Sequence, residues 1–407
     1  MTSEPAVTVA TEGLSDVEVS VLQALLFQYR IVVGKRGRKA DVTIGRDVQS
    51  ASTLAIQIPR THVRENADSD NGIITLPYDI LDEPVERMKS VLNPRVSVEY
   101  RVITRFPFQY NMIPSSIRSL FLRARREQLC TNTELHSEIS KMVLIEAIKK
   151  LGLNVERKNG PVFQLTHDID SARGLQRSLI LKNVDDEMGI QSTWFVVSNE
   201  YSIPRAFARD LAQDSIIGSH DTRHDGRLIG IDDRVKLVSR LRTSKSKLER
   251  IFEQDITSFR APLMQFGEKI ISALSSSGYS QDFSLPCWEP VHPSTMGGFG
   301  AQIAHRFEFS GLSETPLTLF QDHQLLHVMK LSTRRAVDFW LSQAKLVRSL
   351  DGDISLLVHP DYLFAEDTAE YKRLLTELTQ IQVECGIESH AELVNSLAGA
   401  RDPKGDV

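Results

Sequence analysis

From about residue 156 onward the chain alternates short apolar runs with amphipathic stretches, which restricts it to a largely parallel sheet covered by helices. Strand-like runs fall at 162–166, 193–197, 215–218, 256–260, 279–284, 317–320 and 354–359. Helical patterns at 171–188, 232–252, 268–277 and 333–349 separate most of them. Seven such units predict an α/β fold, a barrel-like parallel sheet whose functional residues gather where strands run into the following loops.

The residues at those strand ends are chemically unusual. The run 162–166 leads into Thr166-His167-Asp168-Ile169-Asp170, with two acids spaced to share one face of a strand. Residues 215–218 lead into His220-Asp221-Thr222-Arg223-His224. Histidines four apart are expected on one side of a helical turn, where two imidazoles can meet one ion. A carboxylate with two imidazoles leaves an open position for water, the arrangement of a hydrolytic metal centre. Arg260, Asp282 and His359 have the same strand-end address, which predicts a single site.

A chain of 407 residues exceeds one ordinary core, so a second unit is expected. Residues 1–14 are expected to be disordered. Ser15 and Glu18 read as a capping box opening a helix. Short apolar runs at 53–58 and 96–102, broken by turn residues, predict a small α+β accessory domain over 15–155. An amphipathic helix over 134–151, stopped by Gly152, closes it. The barrel then spans 156–398, and 399–407 is expected to be a disordered tail. Within 117–127, Arg118, Arg123, Arg125 and Arg126 stand beside Leu120, Phe121 and Leu122. A solvated helix face is the favoured reading, and peripheral contact with lipid head groups or a phosphorylated substrate is the other.

A net charge of −5 gives no general pull toward nucleic acid. Three scattered cysteines, Cys130, Cys287 and Cys385, make no disulfide framework and fit a reducing compartment. With no signal-like start and no apolar run able to span a bilayer, a cytoplasmic protein is expected.

Taken in order, these segments resemble the five motifs of the NodB-homology polysaccharide deacetylases, carbohydrate esterase family 4. The resemblance implies a distorted (β/α)7 barrel and a divalent metal, Zn2+ first, with Co2+, Ni2+ or Fe2+ also suited. From Thr166–Asp170 it implies Asp168 as general base and Asp170 as metal ligand. From His220-Asp221-Thr222-Arg223-His224 it implies His220 and His224 as the other ligands. Phe259-Arg260-Ala261-Pro262 implies that Arg260 pairs with the base, and Asp282 in the fourth motif that it orients the catalytic histidine. Leu356-Leu357-Val358-His359-Pro360 implies His359 as general acid. Between the first two motifs, Thr193-Trp194-Phe195-Val196-Val197 resembles the family's aromatic-rich second strand. The implied activity is removal of acetyl from an N-acetylated sugar or glycan.

The sequence departs from the family pattern at Ile169, at Leu263-Met264-Gln265 after the third motif, and at Trp288, which is not adjacent to Asp282. Residues 297–317, with Leu76-Pro77-Tyr78-Asp79-Ile80 and Phe106-Pro107-Phe108, resemble a subgroup associated with bacterial surface-polysaccharide biosynthesis. His167 and Trp194 are expected to pack rather than bind. His305, His323, His327 and His390 are expected on faces without a chemical role, and His292 in a loop or a sugar cleft. Two rival readings stand beside the deacetylase: a metal amidohydrolase acting on a small non-sugar amide, and a non-catalytic carbohydrate-binding barrel.

Overall fold

The computed structural model of the protein describes residues 7–35, 40–46, 48, 54–60, 72–94, 135–288 and 300–384. The expectations for 96–102, Phe106–Phe108, 117–127, Cys130, His292, Cys385, His390 and the tail lie outside these residues, as do 297–299. Cys287 is a buried free thiol.

The N-terminal unit contains β1 (Val7–Glu12), α1 (Asp16–Leu26), β2 (Ile31–Lys35), β3 (Val42–Gly45), β4 (Leu54–Gln57), β5 (Ile73–Thr75), α2 (Asp82–Leu92) and α3 (His136–Lys150). Its five strands run in the order β2-β1-β3-β4-β5. Every pairing is parallel, so this unit, expected as α+β, is built in the α/β manner.

The expectation that 1–14 is disordered is wrong over 7–12, because β1 lies between β2 and β3. Val7 and Val9 bury almost completely, a β-branched alternation that the neighbouring threonines and Glu12 obscured. The Ser15–Glu18 capping box is present at the start of α1. Gly152 follows α3 with φ near +78°, the left-handed turn that a glycine at that position permits.

The second unit contains β6 (Phe163–Ile169), α4 (Ala172–Glu187), β7 (Thr193–Val196), α5 (Arg205–Ala212), β8 (Ile216–Ser219), α6 (Arg234–Phe252), β9 (Ser258–Phe259), α7 (Glu268–Ser276), β10 (Gln281–Asp282), β11 (Phe307–Phe309), β12 (Leu312–Glu314), α8 (Thr333–Ser349), β13 (Ile354–Leu357) and α9 (Thr368–Glu384). Its sheet order is β11-β12-β10-β9-β8-β7-β6-β13, parallel throughout except for the antiparallel β11–β12 hairpin.

Side-chain caps set where the helices begin. Ser171 accepts from the Arg173 and Gly174 N–H groups, and Asp233 from those of Val235 and Lys236. Helix α4 therefore starts close behind β6, whereas the long segment 220–233 separates β8 from α6. Helices α5 and α9 were not anticipated from the sequence.

One expected strand is different in kind. Residues 317–320 form only a bridge, yet that bridge closes the curled sheet. Leu317 N–H donates to Leu285 at 2.9 Å, and Leu319 N–H to Ser355 at 3.1 Å. The Thr318 hydroxyl also accepts from the Ser355 N–H at 2.7 Å. An irregular segment thus spans the gap between the β10 side and β13, and the result is a distorted barrel. Among the described residues no helix is long and apolar enough to cross a membrane.

Candidate active site

Strand β6 delivers both acids. Asp168, its penultimate residue, is buried, and Asp170 follows one residue past the strand. Their alternation aims both at the barrel mouth, whereas His167 points to the opposite side. There His167 Nδ1 lies 2.8 Å from the Val358 carbonyl and Nε2 lies 3.0 Å from Asp185, with the ring stacked 4.0 Å from Trp194. As expected, His167 and Trp194 are packing residues.

His220 and His224 stand in the loop after β8, not on a helix. The helical reading fails because the chain turns at Asp221, which has φ near +65°. A buried ion pair fixes that turn. Arg240 of α6 donates from Nε to both Asp221 oxygens, at 3.0 and 2.9 Å, and reaches Asp225 at 2.7 Å. The loop nevertheless brings the two imidazoles together, with ring centroids 5.4 Å apart.

Asp170 Oδ1 lies 3.3 Å from His220 Nε2 and 3.5 Å from His224 Nε2. One donor atom from each of the three residues lies within 4.8 Å of the others. His220 Nδ1–H donates to the Arg260 carbonyl at 2.8 Å, which leaves Nε2 as the nitrogen facing Asp170. Asp170 Oδ1 is buried and has no hydrogen-bond partner, as expected of an oxygen awaiting a cation. Burial opposes ionisation of Asp170, but His224, His220 and His359 outweigh it and hold the carboxyl well below the usual range. Burial likewise pushes His220 down, and Asp168 and Asp170 more than reverse it. Two imidazoles, one carboxylate and an orphaned oxygen fit a divalent cation.

Arg260 follows β9 and is fully buried. Its Nη1 donates to Asp168 Oδ1 and to the Thr166 hydroxyl, both at 2.9 Å, and its Nε to the Phe283 carbonyl at 3.0 Å. The guanidinium lies 4.5 Å over the Phe195 ring. The sequence expectation of an Arg260–Asp168 pair agrees with this geometry.

His359 sits two residues past β13, with Nε2 at 3.8 Å from Asp170 and 4.0 Å from Asp168. Its orienting acid is Asp322, not Asp282. Asp322 accepts from His359 Nδ1–H and from the His359 backbone N–H, each at 2.6 Å. Burial lowers the His359 pKa, but Asp322 leads the groups that raise it to about 10. Asp282 is instead bonded to Ser284 at 2.5 Å and faces Glu314 on the neighbouring strand. The signal for Asp322 was present in the sequence, since it lies two residues beyond the run 317–320. The strand-end rule would have reached it.

The structure also draws His323 and His327, expected on faces without a chemical role, toward the site. Tyr362 lies 5.1 Å from the His359 ring, with His327 and His323 at 4.7 and 5.8 Å from Tyr362. His305 is buried elsewhere, 3.1 Å from Glu138.

No family model matches the chain, and no curated protein matches it. Among solved structures, the chain is similar to a Mycobacterium smegmatis protein assigned as a polysaccharide deacetylase, at 16% identity and a TM-score of 0.42, covering 62% of this chain and 96% of that one. It is also similar to the chitin deacetylase of the fungus Colletotrichum lindemuthianum, at 14% identity and a TM-score of 0.38, covering 55% and 84%. A third is a family 4 carbohydrate esterase pseudoenzyme from Bacillus anthracis, at 12% identity and a TM-score of 0.37, covering 55% and 62%.

Proposed function

We propose that this chain is a metal-dependent N-deacetylase of the NodB-homology type, hydrolysing the acetamide of an N-acetylated sugar or glycan. One observation carries the reading. A buried Asp–Arg pair, Asp168 with Arg260, and a buried His–Asp pair, His359 with Asp322, flank the same three-donor cluster of Asp170, His220 and His224.

The division of labour follows from the environments. Asp168 takes a proton from the water that attacks the carbonyl carbon, and Arg260 keeps that carboxylate aimed. His359, held protonated by Asp322, donates from Nε2 to the amine nitrogen as the C–N bond breaks. Acetate and the free amine are the products. Asp170, His220 and His224 would hold the cation, zinc first, which when bound supplies polarisation of the carbonyl oxygen and acidification of water. The motif resemblance supports a role in bacterial surface-polysaccharide biosynthesis as the setting of this activity.

The test compares metal content of the purified wild type and His224→Ala, before and after zinc addition. Acetate release from N-acetylglucosamine oligomers is measured alongside. Near-stoichiometric metal in the wild type and its loss in the variant are expected. No metal and no uptake in either protein would overturn the reading.

A further inference from the structure

Asp282 and Glu314 are fully buried carboxyls on adjacent strands, cross-paired between β10 and β12. Neither takes part in the chemistry above. Asp282 Oδ1 accepts from the Ser284 hydroxyl, and Glu314 Oε1 from the Leu285 N–H at 3.1 Å. Asp282 Oδ2 is buried with no donor beside it. The two residues stand opposite each other across the strand pair, and two carboxyls that meet there can hydrogen-bond only if one of them carries a proton. A proton on Glu314 would supply the donor that Asp282 Oδ2 lacks.

We propose that Asp282 and Glu314 share one proton and act as a positioning pair for Arg260. The path is continuous. Glu314 meets Asp282, which accepts from the Ser284 hydroxyl. That hydroxyl in turn accepts from the Ala261 N–H at 2.8 Å, directly after Arg260. The Phe283 carbonyl, next to Asp282, accepts from Arg260 Nε. Arg260 then acts in two directions, its guanidinium on Asp168 and its carbonyl on His220 Nδ1–H. One residue thereby sets the aim of both the base and a metal ligand. Outer-shell groups of this kind shape metal affinity through the ligands they orient.

The groups facing the pair are consistent with a retained proton. Burial raises both carboxyls; Asp282 raises Glu314 further, whereas Glu314 lowers Asp282, so the proton is better held on Glu314. Arg260 is the charged side chain that opposes the rise at Glu314, while Ser284 and the Phe283, Ser284 and Leu285 backbones supply the remaining contacts. If both carboxyls were ionised, Arg260 would be drawn from Asp168 toward them.

The test is zinc affinity by competition with a chromophoric chelator, with Tm measured against pH, for wild type, Glu314→Gln, Glu314→Leu and Ser284→Ala. Glutamine can donate to Asp282 and accept from Leu285, so Glu314→Gln should keep zinc affinity within about threefold. Glu314→Leu should weaken it about 10- to 100-fold. Should Glu314→Leu fail to fold, Ser284→Ala breaks the same path without replacing either acid and should weaken zinc about tenfold.

A carboxyl raised in the fold contributes stability that is complete below its unfolded pKa and is lost as pH rises through the folded value. The wild-type Tm should therefore fall above pH 4.5, the ordinary glutamate value, and fall less steeply in Glu314→Gln. Leucine and alanine variants that bind zinc like the wild type would show that the pair positions nothing. A glutamine variant as weak as leucine would show that charge, not a shared proton, is required. The inference rests on the proposed site. A wild type that binds no zinc would sink that site reading, while the Tm curves would still decide the proton.

Discussion

Substituting Asp322 by asparagine changes one atom and should disable the site. The carboxylate accepts two bonds at 2.6 Å, one from His359 Nδ1–H and one from the His359 backbone N–H. Asparagine offers a single acceptor oxygen. If that oxygen serves the backbone, the NH2 faces Nδ1, and the imidazole must turn to the neutral tautomer with a lone pair there. If it serves the ring, two N–H groups face each other in a buried setting. The second case costs about 1–3 kcal/mol for the unsatisfied donors, and the first leaves the ring without its Nδ1 proton.

The larger effect is on charge. His359 rises from 6.5 to about 10, a differential stabilisation of about 5 kcal/mol at 1.36 kcal/mol per unit. A cation beside Asp170 opposes that rise, so the figure is an upper bound. Once the Asp322 charge is gone, burial, the largest influence, is opposed by Asp170 and Asp168, so the ring holds its proton less well near pH 8. The raised pKa contributes stability that is present below pH 6.5 and lost as pH rises through about 10. Asp322→Asn should lose that contribution, so its Tm should approach the wild-type value only at high pH. Its kcat at pH 8 should fall by about 10²- to 10⁴-fold, with the basic limb of the profile moved to lower pH. The assay is kcat from pH 5.5 to 10, with Tm at each point. A variant with kcat within threefold of wild type and an unmoved basic limb would refute the assignment.

Two further substitutions probe the scaffold. Glu138, buried with Lys141 and His305 between α3 and the barrel, is pushed up by burial but brought down to about 2 by those cations. Its contribution is complete above pH 4.5 and lost as pH falls through about 2, so Glu138→Gln should lower stability at pH 7 by about 3–5 kcal/mol. Calorimetry showing equal stability at pH 7 would contradict the pairing. Gly218 has no room for a methyl group, since a Cβ there would lie 2.5 Å from two carbons of the Phe195 ring, which underlies Arg260. Gly218→Ala should cost about 1–3 kcal/mol and reduce kcat/KM, whereas Gly230→Ala, with open space around it, should do neither.

What was legible in the sequence is what depends on local pattern. The β/α alternation, the capping box of Ser15 and Glu18, and the strand-end placement of Asp168, Asp170, His220, His224, Arg260 and His359 are all short-range signals. The misreadings have long-range causes. His220 and His224 share a face through an Asp221–Arg240 ion pair spanning 19 residues, which spacing imitates but does not encode. Strand β1 is hidden because threonine and glutamate look polar, although the strand buries Thr11 along with Val7, Val9 and Ala10. Residues 317–320 looked like a strand because closing a barrel requires apolar residues whether or not a full ladder forms. Asp322 and Asp282 both have strand-end addresses in the sequence, and what distinguishes them is which strand end lies beside His359, a property of sheet order.

Sheet order also explains why two acids so similar in sequence context have different partners. Asp322 meets a histidine that can carry a proton, and it accepts two short bonds, so its negative charge is compensated. Asp282 meets Glu314, and the one cation within reach, Arg260, is already committed to Asp168. Ionising Asp168, Asp170 and Asp322 against Arg260 and a protonated His359 leaves a single net negative charge. A divalent cation converts this to a single positive one, suited to the oxyanion that develops on the carbonyl. Two more buried carboxylates beside Arg260 would cancel that advantage. A proton retained between Asp282 and Glu314 limits the pair to one charge, so the same proton that satisfies a buried oxygen also keeps the field at the reacting carbonyl favourable.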